Sequence, residues 1–129
     1  MGLSQFDERK AQQYNGEIDN SNGTASVVAA PGLQFDYHLD MLFLVNTDSS
    51  SRILNLYLTI GATTEPFASV LVPARAGFDG NPPVEAMSEV LPSSQTGMVV
   101  QGGATLDLAV TVTVTSGQAI GYTLIGGLL

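Results

Sequence analysis

The chain has 129 residues, enough for one domain with a real core, and no cysteine, so its scaffold has neither disulfides nor thiolate metal sites. Twelve acids against four basic residues give a formal charge of −8, which argues against clustered cations for nucleic-acid phosphates or an anionic membrane surface. Charged residues are only 12% of the chain and hydrophobic ones 44%, so much of the surface is expected to be neutral and polar or covered by partners.

The first residues, Met1 to Lys10, contain no apolar h-region, and Phe6 breaks the myristoylation pattern. No stretch approaches the roughly 20 apolar residues of a membrane helix, so a soluble, unsecreted protein is expected. Residues 1–22 show no sustained period and end in the Asn- and Gly-rich run 19–23, which reads as an arm or loosely packed segment ahead of a domain at 23–129. That run misses a calcium loop, because Gly23 falls fifth rather than sixth and Ala30 stands where a bidentate Glu is needed. Asn22-Gly23-Thr24 fits the glycosylation acceptor pattern, which has meaning only for a secreted chain.

From Thr24 onward, apolar and β-branched runs alternate with turn signals about every ten residues. Short strands are expected at 24–30, 69–72 and 97–101. Residues 39–45 are hydrophobic except for Asp40, so both faces of that strand should be covered, most simply by a subunit interface. Residues 52–60 place Leu54, Leu56, Leu58 and Ile60 on one side, opposite an unusually apolar face with Ile53 and Tyr57.

Pro82-Pro83 followed by Val84, Met87, Val90 and Leu91 predicts one short helix, on which Glu85 and Glu89 share a solvated face. The clearest strand is 104–115, with Leu106, Leu108, Val110, Val112 and Val114 alternating against Thr-rich positions. Ser116-Gly117 then predicts a hairpin to a strand at 119–125. Gly102-Gly103 and Gly126-Gly127 read as turns and strand ends, not phosphate loops. The pattern predicts an all-β fold: a single antiparallel β-sandwich of about seven or eight strands, jelly-roll or Greek-key type.

His38 is the one histidine and lies at strand spacing between Asp36 and Asp40, so the three share a face where a metal or proton relay is conceivable. A zinc site normally takes more nitrogen or sulfur ligands, and a lone histidine does not define a triad. His38 is therefore read as a structural or interface residue, with no catalytic residue, metal or cofactor assigned and no enzymatic activity expected. The aromatics Phe6, Tyr14, Phe35, Tyr37 and Phe43 are candidate interface anchors, as are the terminal Leu128 and Leu129, which are costly to leave in water.

Val70-Leu71-Val72-Pro73-Ala74-Arg75-Ala76-Gly77-Phe78-Asp79-Gly80-Asn81-Pro82-Pro83-Val84, followed by the Gly-bounded strand at 102–115, resembles small virion proteins of tailed bacteriophages across roughly residues 52–127. The resemblance implies a head decoration (cement) protein or a similar accessory virion component. Such a protein is a compact β-sandwich, often a homotrimer, seated on the major capsid protein where capsomers meet. It carries over no functional residues, because these proteins act through surfaces. The alternative is a receptor- or glycan-binding module of a tail or baseplate, with Tyr57 or Tyr122 as a stacking face.

Overall fold

The computed structural model describes residues 10–29 and 36–128. Among these are nine strands, β1 (Lys10–Asp19), β2 (Thr24–Ala29), β3 (Tyr37–Asn46), β4 (Arg52–Ile60), β5 (Thr63–Val72), β6 (Val84–Glu85), β7 (Met98–Val100), β8 (Thr105–Val110) and β9 (Ala119–Leu128), and one helix, α1 (Ala86–Val90). The first sheet runs β1-β9-β3-β6 with β7 also on β3, and the second runs β2-β8-β4-β5. All pairings are antiparallel. They nest as β4 with β5, β3 with β6 and β7, β2 with β8 and β1 with β9, the order of a long hairpin rolled into two sheets. The chain is an all-β sandwich with jelly-roll strand order.

The inner faces follow from the period of two. Leu54 and Leu56 of β4, Val70 and Val72 of β5, and Leu106 and Leu108 of β8 meet Ile18, Leu39, Leu42, Leu44, Ile120 and Leu124 of the first sheet in one buried cluster. The strand predicted at 52–60 is found at those residues, and Leu58 still packs on the core while Ile60 at the hairpin end is exposed.

Four sequence expectations are corrected. Residues 10–19 are not a loose arm but an edge strand paired along its length with β9, from Lys10 opposite Leu128 to Asp19 opposite Ala119. Its inward set is Tyr14, Gly16 and Ile18, and the glycine hides the period. Gly16 is required because the Tyr122 ring lies where its Cβ would be.

The predicted 104–125 hairpin is also absent. β8 stops at Val110 and pairs with β2 and β4, whereas β9 pairs with β1 and β3. The intervening residues cross between sheets, with Val114 buried at the corner.

The uninterrupted apolar run in β3 arises from a register shift between Leu39 and Met41. Tyr37 and Leu39 point inward before it, and Leu42, Leu44 and Asn46 after it, so a β-bulge at Asp40 resets the alternation and accounts for the unbroken apolar run within the chain.

Helix α1 is shorter than the spacing suggests and starts after Glu85, not at the prolines. Glu85 is the N-cap, its Oε1 accepting from Ser88 N and its Oε2 from Met87 N and from Leu42 N of β3. Its carboxylate is committed to backbone donors, so it does not share a solvated face with Glu89.

Candidate interaction surface

Two features organise the candidate surfaces. One is the segment of residues 72–84, which forms a tightly bonded corner. Ala76 N donates to Pro73 O, Phe78 N to Arg75 O, Asn81 N to Phe78 O and Gly77 N to Asn81 O. Arg75 and Asp79 hold positive φ angles of 60° and 56° in company with Gly77 and Gly80, a backbone that persists only when its surroundings fix it.

Those surroundings are polar and buried. Asn46 N donates to Ala76 O, while Asn46 Nδ2 reaches Ser50 O, Val72 O and Pro73 O. Arg75 N donates to Asp48 O, and the Arg75 guanidinium bonds Thr47 O and Asp79 while lying over the Phe78 ring.

Asp48 is the hub. Its Oδ2 accepts from Arg52 Nη2 at 2.8 Å, Arg52 Nε at 3.2 Å and Thr115 N at 2.9 Å, and its Oδ1 from Ser50 N at 3.1 Å. The Thr115 amide, followed by the Arg52 guanidinium, holds this carboxyl well below the usual carboxylate range. The network ties together the β3–β4 turn, the corner after β5 and the crossing from β8 to β9.

The electrostatic consequence concerns the outside. Arg52 and Arg75 are each paired within the chain, to Asp48 and Asp79. In a chain with twelve acids, these internal commitments leave the described surface predominantly acidic.

The second feature is the outer face of the first sheet. The registers place Met41 beside Ile125 and Gln13, Phe43 beside Thr123 and Asn15, and His38 beside Gly127 and Val99. Met41 is 44% exposed, Val99 is also exposed, and Phe43 and Ile125 are half-buried. Asp40 lies at the bulge, with Glu17 on the edge strand. Next to the bulge, Asp40, Met41, Glu85, Met87, Leu91 and Pro92 help line an open, mainly apolar cleft of roughly 600 Å³.

The sequence-predicted site residues divide between this face and the core. Phe43 and His38 are on the face. Tyr37 is fully buried, its ring 5.6 Å from that of Tyr14 in an edge-to-face arrangement and packed over Gly126, so it is corrected from interface anchor to core residue. Tyr14 packs against the core from β1, and Leu128 does so from β9, where it lies opposite Tyr37. Tyr122 is turned inward over Gly16 and packs partly buried against the core. Phe6, Phe35 and Leu129 lie outside the described residues.

The Asp36-His38-Asp40 set is only partly assembled. His38 Nδ1 is 2.7 Å from Asp40 Oδ1, whereas Asp36 Oδ1 accepts from Gly102 N across the sheet end. Among the described residues no group of three or more acidic or histidine side chains is placed to hold a metal ion. Missed from the sequence were Met41 and Ile125 as face residues. Ile125 was legible as the outward partner of the Ile120, Tyr122 and Leu124 set, but Met41 was hidden by the bulge.

Compared with known proteins, the chain matches no protein-family model and no curated protein sequence.

Proposed function

We propose that this chain is a virion structural protein that decorates and stabilises a capsid by binding the major capsid protein at capsomer junctions. The carrying observation is the outer face of the first sheet, where Met41, Phe43 and Ile125 form an apolar centre, with Asp40 and the His38–Val99 pair at one end and Glu17 at the other. An apolar centre with a polar margin is the anatomy of a protein contact, and the acidic margin suits a partner with a basic surface. The resemblance of residues 70–84 to phage virion proteins supports the same reading. So does their multiply bonded corner, since a rigid scaffold loses little freedom on docking.

In this reading His38 and Asp40 act together as a polar pair at the contact rim, not as a catalytic unit. The partner is a protein shell, and neither a cofactor nor nucleic acid takes part. Co-sedimentation with capsid shells tests the proposal: wild-type chain pellets with shells, and Met41→Asp or Phe43→Asp leaves it in the supernatant.

A second reading, a glycan- or receptor-binding module, draws on Tyr57. This residue is half-buried on the outer face of the second sheet, between Pro66 of β5 and Asp107 of β8. Binding to a glycan array that Tyr57→Ala abolishes, with no affinity for shells, would favour that module instead.

A further inference from the structure

We infer that the outer face of the second sheet along β4 and β5 is the contact between copies of this chain. The inference deepens the proposed function by assigning the protein's other apolar face, and it rests on that reading only in taking the chain to bury surface on two sides.

Ile53 and Leu71 are directly opposite each other in the β4–β5 register and are 46% and 55% exposed. Large aliphatic side chains paired this way on a solvent face are an unfavourable arrangement for an isolated domain. In the next pair, Asn55 and Ser69, the Ser69 hydroxyl donates to Asn55 Oδ1 at 2.7 Å, a bond made within the chain that leaves fewer polar groups needing water. Beyond it, Tyr57 faces Pro66, and a register shift leaves Phe67 as the extra residue, 40% exposed. Ala109 of β8 continues the strip beside Asn55.

Charge identifies the occupant. Across the Ile53–Leu71 and Asn55–Ser69 pairs the strip carries no Asp, Glu, Lys or Arg, and Asp107 enters it only opposite Tyr57. The first acids are Glu65, and Asp107, whose Oδ2 accepts from Thr59 and Thr105. Two chains of formal charge −8 repel wherever their acids meet, so a copy is best seated on a face without ions. The Met41 face, with Asp40 and Glu17 at its margins, is the poorer place for a copy and the better one for a basic partner. β5 is also the edge strand of its sheet, with one row of backbone groups unpaired in the ladder, and a copy seated beside Leu71 would shield that edge.

Light scattering coupled to size exclusion, with sedimentation equilibrium for the dissociation constant, decides the matter. The wild-type chain should be a discrete oligomer, and Leu71→Asp and Ile53→Asp should each weaken it by about thirtyfold or more. Met41→Asp should leave the oligomer intact. Leu71 and Ile53 are exposed, so both variants should keep the wild-type circular dichroism spectrum and cooperative melt, which establishes that dissociation is not unfolding. A wild-type monomer throughout the concentration range, or an oligomer that survives both aspartates, overturns the inference. Shell binding is read separately: a monomer that pellets with shells refutes only the self-contact, and a Leu71-dependent oligomer that ignores shells refutes only the decoration reading.

Discussion

Replacing Asp48 with asparagine should show how far the corner bearing residues 72–84 depends on one carboxylate. In the native chain Asp48 Oδ2 accepts from Thr115 N and from two nitrogens of Arg52, while Oδ1 accepts from Ser50 N. An amide has one acceptor oxygen, so in either orientation its NH2 group confronts donors, and the Arg52 guanidinium loses its counter-charge. Hydrogen bonds to charged groups contribute about 1.5 to 3 kcal/mol each, and the buried position prevents water from replacing all of them. Asp48→Asn should therefore cost roughly 3 kcal/mol, a fall of about 10 °C in Tm for a domain of this size.

Acid provides an internal control. Because the folded-state pKa of Asp48 is depressed, its contribution is fully present above the unfolded value of about 3.9 and is lost progressively as pH falls below it toward the folded value. The stability gap between wild type and variant should be widest near neutrality and narrow on acidification. Thermal melts by circular dichroism at neutral and acid pH measure both effects. A loss under about 1 kcal/mol, or a gap that widens in acid, would refute the assignment of Asp48 as the hub.

Other substitutions probe separate parts of the structure. Gly126→Ala would set a methyl group against the His38 carbonyl and about 2.8 Å from the Tyr37 ring, and chemical denaturation should reveal a cost of about 2 kcal/mol or more. Glu85→Ala leaves the α1 cap and Leu42 N without their acceptor and should cost about 1 to 2 kcal/mol in the same assay, with Glu85→Gln recovering part of it. His38→Ala removes a partly exposed pair with Asp40 and should shift stability by less than about 1 kcal/mol, a result checked by melting at neutral pH.

The sequence was most informative where strands alternate without interruption. β4 matches its predicted span because Leu54 and Leu56 face the core and the neighbouring outward positions do not. β2 and β7 fall within a residue or so of their expected limits, bounded by turn residues. Local pattern failed where long-range pairing decides the outcome. The 104–125 stretch has every mark of a hairpin, yet the roll sends β8 and β9 to different sheets, with Val114 entering the core and Thr115 N bonding Asp48 in the crossing.

The candidate surface was only half visible. Phe43 stood out as an apolar residue and does lie on the outer face, whereas Tyr37, equally prominent in the sequence, is buried because the bulge at Asp40 sets the two on opposite sides. Glu85 looked like a surface acid because no local spacing announces an acceptor for Leu42 N of a distant strand. The motif at 70–84 was legible as a motif. Its meaning, a corner fastened by Asn46 and Asp48, came only with the tertiary structure.

The most direct measurement of the proposed function is co-sedimentation of wild-type and Met41→Asp chains with shells assembled from a phage major capsid protein. The account predicts saturable pelleting of the wild-type chain, increased shell resistance to heat, and loss of both with Met41→Asp while the fold persists. Equal pelleting of the two chains would contradict the assignment of the first-sheet face, and no pelleting of the wild type would contradict the decoration function itself.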